Sequence, residues 1–153
     1  MSHNIDHIDR NILRALQQDS SLSQRDLADR VGLSQNACWR RLRALNASGV
    51  LQGSTARVDR RALGLGLVVF VMVRTRHHSA GWLEDFRRHV QGIPEVVDFF
   101  RIGGDYDYLL KVVTETMDSY DAVYQRLISK VELDSVTSYF AMEAIAEQRP
   151  LPL

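Results

Sequence analysis

The hydrophobic period of this chain changes sharply near Gly66, and that change calls for a protein of two unlike parts. Ahead of it, apolar residues recur at helical spacing. Behind it, residues 67–75 form a nearly continuous Val-rich run, as in a strand buried on both faces. A chain of 153 residues is long enough for two small domains with cores of their own. The expected division is residues 1–58, a hinge at 59–66 containing two glycines, and residues 67–153.

Three helices are expected in the first part. Over residues 6–18, Ile8, Ile12, Leu13 and Leu16 share one face, and Asp6 with Asp9 has the spacing of a capping box. After a polar break, Ser23 and Asp26 repeat that spacing ahead of the short stripe Leu27, Ala28 and Val31. Gly32-Leu33 then turns directly into a third helix over residues 34–48, with Ser34 as its N-cap and Gly49 as a left-handed stop. Cys38, Leu42 and Leu45 fall at i, i+4 and i+7 and make its inner face. Gln35, Asn36, Trp39, Arg40 and Arg43 turn outward, with no carboxylate among them. Amides and guanidinium forks read base edges and phosphates, and a capped N-terminus favours a phosphate at Ser34. Two helices joined by so short a turn make a helix-turn-helix, in which the first braces the second in a major groove. A solvated basic surface is the blander alternative for that face.

The charge agrees with a polyanionic partner. The net charge is zero, yet residues 1–60 hold nine Arg against six acids, and from Arg30 to Arg61 seven Arg face the single acid Asp59. Residues 50–58 alternate loosely and read as a strand or small wing. Arg57, Arg60 and Arg61 near its end are either phosphate contacts or solvated linker charge. The single cysteine, Cys38, rules out an internal disulfide and fits a reducing compartment. No charged-then-apolar leader opens the chain, and the apolar run at residues 65–73 is too short to span a bilayer. The expectation is a soluble cytoplasmic protein, with no membrane association.

In the second part, strand patterns at residues 67–75, 96–102, 106–114 and 135–143 alternate with helical spacing at 79–89 and 117–131. The order βαββαβ is that of a ferredoxin-like sandwich, so the whole chain is α+β. Both helices of such a sandwich cover one face of the sheet. Self-association is the simplest cover for the other, and a two-fold dimer would duplicate the DNA reader for a palindromic operator. The turn Gly103-Gly104-Asp105-Tyr106-Asp107 invites two readings. Paired glycines can converge N–H groups on an anion while Asp105 and Asp107 accept from a cation, which suits a zwitterionic amino acid. The same residues also make an ordinary glycine hairpin with solvated aspartates. No catalytic constellation appears and no metal or cofactor is expected: His77-His78 lack a third ligand, and Gly64-Leu65-Gly66 lacks the third glycine of a dinucleotide loop.

The runs Ile8-Asp9-Arg10-Asn11-Ile12-Leu13, Leu27-Ala28-Asp29-Arg30-Val31-Gly32-Leu33-Ser34, Cys38-Trp39-Arg40-Arg41-Leu42 and Gly104-Asp105-Tyr106-Asp107-Tyr108-Leu109-Leu110 come in this order. Together they resemble the Lrp/AsnC feast/famine transcriptional regulators across nearly the whole chain. The resemblance implies an N-terminal winged helix-turn-helix and a C-terminal amino-acid-binding domain, with dimers that commonly assemble to octamers and effector sites between dimers. Carried over by position, the effector site comprises Gly104, Asp105, Asp107, Met117, Tyr139, Phe140 and Ala141. Arg101 and the bulky Phe140 depart from the usual apolar and aliphatic residues, which leaves the preferred side chain open. His77-His78-Ser79 with Trp82, Val136-Thr137-Ser138 and Phe140-Ala141-Met142-Glu143 resemble the branch with the cysteine-responsive detoxification regulator. Cysteine is therefore the first expected effector, then leucine or methionine. The alternatives are an architectural DNA binder with little sequence preference, or a small-molecule-binding domain or enzyme whose N-terminal helices do not bind DNA.

Overall fold

The computed structural model describes residues 4–153; the first three residues of the expected 1–58 domain lie outside the described residues. Contacts divide it into two compact units, one of residues up to Arg57 together with Ala146–Leu153, the other Val58–Ile145.

The first unit holds three helices, α1 (His7–Gln18), α2 (Gln24–Arg30) and α3 (Gln35–Ala47). Each begins where a side chain satisfies an otherwise orphaned N–H group. Asp6 and Asp9 form a reciprocal capping box on α1, Ser23 accepts from Asp26 N on α2, and Ser34 accepts from Ala37 N on α3. Gly32 turns the chain between α2 and α3 at φ 69° and Gly49 stops α3 at φ 75°, both in the left-handed region where a Cβ is strained. Ile12, Leu13, Leu27, Ala28, Cys38 and Leu45 form the core between the helices. Residues 50–58 run without a strand, contrary to the alternating pattern there. Among the described residues of this unit no other segment is a strand, so a ladder has no partner there.

Residues 146–153, which sequence patterning joins to the second domain, lie with the helical unit instead. Gln17 donates to Leu151 O at 3.3 Å and accepts from Leu151 N at 2.7 Å, so one amide reproduces a backbone pairing. Arg14 Nε donates to the main-chain oxygen of Leu153 at 3.0 Å, and the Leu153 side chain joins the apolar cluster.

The second unit is built on β1 (Leu67–Arg74), α4 (Ala80–Gln91), β2 (Val96–Arg101), β3 (Tyr108–Thr114), α5 (Met117–Ile128) and β4 (Ser135–Phe140). All pairings are antiparallel and the sheet order is β2-β3-β1-β4, the arrangement expected of a ferredoxin-like unit. Val69, Val71 and Val73 alternate toward the helices and meet Leu110, Val112, Phe86, Val90, Val123 and Leu127 in the core. Phe86 stacks on Trp82 and meets Phe99 edge-on, which ties α4 to β2.

The opposite face of the sheet has no covering element within its unit. Its cross-strand rows follow from the register: Phe100, Leu109, Met72 and Thr137 in one, Asp98, Lys111, Phe70 and Tyr139 in the next. Phe70, Phe100 and Tyr139 are all exposed, as is Val97 at the register shift in β2. A row of aromatic and aliphatic side chains facing solvent is the incomplete side of a two-layer fold.

Candidate nucleic-acid interface and effector site

α3 is sorted by burial into two faces. Cys38 and Leu45 are fully buried, and burial pushes the Cys38 thiol above its ordinary value, so it packs as a small hydrophobe. Ser34, Gln35, Asn36, Trp39, Arg40 and Arg43, the six residues expected to meet DNA, are all exposed along the outer side. The Arg43 guanidinium lies 4.9 Å from the centre of the Trp39 ring, which holds this cation in place on an apolar platform. Asn46 is turned back on its own helix, donating to Leu42 O at 2.9 Å, and adds nothing to the outer face.

Other basic groups nearby have internal duties. Arg30 donates to the Gln18 side chain at 2.7 Å and ties the end of α2 to α1. Arg60 spans its own turn, donating to Leu65 O at 2.9 Å and Gly66 O at 3.2 Å, which favours a structural part for it over a phosphate contact. Arg41 donates to Asp6 and Asp9, both at 2.8 Å. Those carboxylates, Asp9 first, raise the guanidinium further above its already high pKa. Asp6 is held below the usual carboxylate range, chiefly by the Asp9 N–H and then by Arg41. The sequence reading did not find this ion pair, because its partners lie 32 and 35 positions apart.

In the second unit the turn between β2 and β3 is fastened to the end of β1. Asp107 N donates to Val73 O and Ile102 N to Asp107 O, both at 2.9 Å, while Asp107 Oδ2 accepts from Thr75 N at 2.8 Å. Gly104 takes φ 124°, outside the reach of most L side chains. Arg74 Nε donates to Asp105 O at 2.7 Å, and its guanidinium lies 5.6 Å from the centre of the Tyr106 ring. Hydrogen bonds from Thr137 and Tyr139 hold the Tyr106 phenol below its ordinary range, and Tyr139, as a donor, is pushed up. Asp105 is left exposed at the turn, whereas one oxygen of Asp107 is committed to the backbone.

The remaining expected effector residues stand elsewhere. Phe140 pairs with Val69 and meets Tyr120 edge-on, Ala141 N donates to Val68 O at 3.0 Å, and Met117 opens α5 just past the end of β3. Val68 and Val73 are about 17 Å apart along an extended strand. The turn and the Met117–Phe140–Ala141 group thus occupy opposite ends of β1. One copy of the chain does not gather all seven residues into a single pocket.

Among the described residues, no group of three His, Cys, Asp or Glu could hold a metal ion, and no helix is long and apolar enough to cross a membrane. His77 stacks near Trp82, at 6.0 Å between ring centres, and its Nε2 lies 3.6 Å from Glu132.

The family model of a winged helix-turn-helix DNA-binding domain matches residues 5–52, and that of the Lrp/AsnC ligand-binding domain matches residues 68–151. The DNA-binding transcriptional activator DecR of Escherichia coli is 45% identical over 150 residues, covering 97% of this chain and 99% of the relative. The crystal structure of an AsnC family transcriptional regulator from Agrobacterium tumefaciens superimposes with a TM-score of 0.92 at 46% identity, covering 96% of each chain. That of the regulator NMB0573 from Neisseria meningitidis, a complex with L-Met, gives 0.90 at 31% identity and 97% of each chain. These relatives are regulators rather than enzymes. The helical reader, the ferredoxin-like domain behind it and these matches over nearly the whole length make this chain a member of the Lrp/AsnC family: a DNA-binding transcriptional regulator with an amino-acid-binding domain.

Proposed function

We propose that this regulator reads a palindromic operator as a dimer, with two copies of α3 in successive major grooves. The observation that carries this reading is the outer face of α3, where six polar, aromatic or cationic residues are exposed on a helix whose other side buries Cys38 and Leu45. Gln35, Asn36 and Arg40 are the base readers, Ser34 and Arg43 hold phosphates, and Trp39 supports Arg43.

The dimer forms across the open sheet face, where Phe70, Met72, Phe100 and Leu109 meet their two-fold mates. The effector is a free amino acid, its charged ends held by the Gly104–Asp107 turn, beside which Tyr139 stands, and its side chain facing Met117, Phe140 and Ala141 of another copy. The separation of these groups along β1 favours a site shared between dimers, and with it an octamer. Cysteine is the first effector to test, followed by leucine and methionine; the L-Met complex of the Neisseria regulator supports the last of these. The protein acts in the cytoplasm, where its DNA is. Effector binding changes operator affinity only by the difference in its affinity for the two assemblies.

The test begins by selecting duplexes from a random library with the purified protein. The selected duplex and a scrambled one are then titrated by fluorescence anisotropy, with and without each of the three amino acids. Selective binding that one amino acid alters is the expected result. Equal affinity for both duplexes favours the architectural alternative and refutes sequence reading by α3.

A further inference from the structure

Arg41 lies on the inner side of α3, near Cys38 and Leu45, rather than on its outer face. Its neighbours Arg40 and Arg43 are exposed, but Arg41 turns inward, and its Nη1 lies 2.8 Å from both Asp6 Oδ2 and Asp9 Oδ1. The Asp9 side chain is 1% exposed. Each carboxylate is divided between two tasks. Asp6 Oδ1 accepts from Asp9 N at 2.8 Å and Asp9 Oδ2 from Asp6 N at 3.3 Å, closing the capping box of α1, while the other oxygen of each faces Arg41. The two side chains that start α1 therefore also grip the middle of α3.

The rest of the packing between these helices is apolar, through Ile12, Leu13, Cys38 and Leu45. Hydrophobic burial is non-directional and tolerates small slips of one helix over another. A charge-assisted hydrogen bond is not so tolerant: a slip of one residue moves α3 about 1.5 Å along its axis and turns it about 100°. Base readout depends on the same two coordinates, because bidentate contacts in the major groove need side chains at fixed heights and angles. Buried ion pairs contribute little net stability, and their best-attested benefit is fixing one arrangement among several.

We propose that Arg41, held by Asp6 and Asp9, is a positioning residue for operator recognition: it sets the rotation and height of α3 so that the outward side chains meet base edges, and it does not itself contact DNA. This inference rests on the assignment of α3 as the sequence reader.

The test uses the full chain, the duplex selected by the unaltered protein and a scrambled duplex, each titrated over a range of salt. The variants are Arg41→Gln, Arg41→Lys, Asp9→Asn and the double variant Asp9→Asn/Arg41→Gln, which leaves no buried charge unpaired. All are measured well below their own unfolding midpoints, with helicity checked by circular dichroism. The ratio of affinities for selected over scrambled duplex is expected to fall about tenfold or more in Arg41→Gln, the size of one lost base contact. It should fall in Asp9→Asn as well, although that change removes only an acid, and Arg41→Lys should recover part of it. The salt slope on the scrambled duplex should stay that of the unaltered protein.

Three results overturn the proposal. If Arg41→Gln weakens both duplexes alike and lowers the salt slope by about 0.9, Arg41 is a phosphate contact. If the folded variants keep the full affinity ratio, the pair only stabilises the domain. If the unaltered protein selects no duplex at all, the assignment of α3 falls, and this inference with it.

Discussion

The outer face of α3 and the open face of the sheet are both exposed, and their chemistry is different. On α3 the solvent-facing side chains are amides, a hydroxyl, guanidinium groups and one tryptophan under a guanidinium, all comfortable in water until a polyanion arrives. On the sheet they include Phe70, Phe100, Val97 and Tyr139, for which water is the poorer surrounding, beside the charged Asp98 and Lys111. The helical unit therefore presents a reader that one chain completes. In the assembly proposed above, the sheet unit presents half of a core, and half of an effector site, that a second chain completes. In that proposal regulation follows from the asymmetry: a ligand acting on assembly in one unit would change how many readers are presented together by the other.

The largest effect should come from placing a charge in the sheet face. Met72→Glu sets an uncompensated carboxylate between Leu109, Phe100 and Thr137, and a two-fold interface would bury it twice. The expected cost is about 3–5 kcal/mol per buried charge. Sedimentation velocity should show monomers that retain native circular dichroism. Unchanged oligomers would place the dimer interface elsewhere.

Changes on α3 should be smaller and should leave assembly alone. Gln35→Ala, Asn36→Ala or Arg40→Ala should each cost about 1–3 kcal/mol on the selected duplex and relax the preference at one base pair, as read from repeated selection with the variant. Arg43→Ala should weaken all duplexes alike and reduce the salt slope by about 1. If an α3 variant changed oligomer size, or Met72→Glu changed only the base preference, the contrast between the two faces would be wrong.

The comparison also shows what kind of information a sequence carries. Within each unit, features fixed by neighbours in the chain were legible: the Asp6–Asp9 box, the caps at Ser23 and Ser34, and the buried stripe of Cys38 and Leu45; β1, expected to be buried on both faces, is buried on one, with Phe70 exposed on the other. Features fixed by distant neighbours were not. The Arg41 grip on Asp6 and Asp9, the return of Leu151 to Gln17, and the Tyr106–Thr137–Tyr139 cluster all join residues that no local pattern links. The expected effector residues came from motifs alone, whereas the separation of the Gly104–Asp107 turn from Met117, Phe140 and Ala141 along β1 needed the register of the sheet. Residues 50–58 show the converse error, where alternation suggested a strand that had no partner to pair with.

The smallest expected effect is on acid stability, and it has the same sign in both units. Asp6, through the Asp9 N–H and Arg41, and Glu95, through Arg126 at 2.5 Å, are held below their ordinary carboxylate pKa values in the folded chain. In the window between folded and unfolded values the unfolded chain binds more protons. These pairs therefore contribute fully near neutrality and are lost as the pH falls below about 4. Urea midpoints should drop on acidification, less steeply for the helical unit in Asp6→Asn and for the sheet unit in Glu95→Gln. A flat acid limb in the unaltered protein would contradict the assignment.

The most direct measurement of the central claim is anisotropy of the full chain on its selected duplex against the scrambled one, across salt, in the presence of cysteine, leucine or methionine. The account predicts tighter binding to the selected duplex and a shift of that affinity by one amino acid, with the scrambled duplex following salt alone. Equal affinities for the two duplexes, unmoved by all three amino acids, would contradict it.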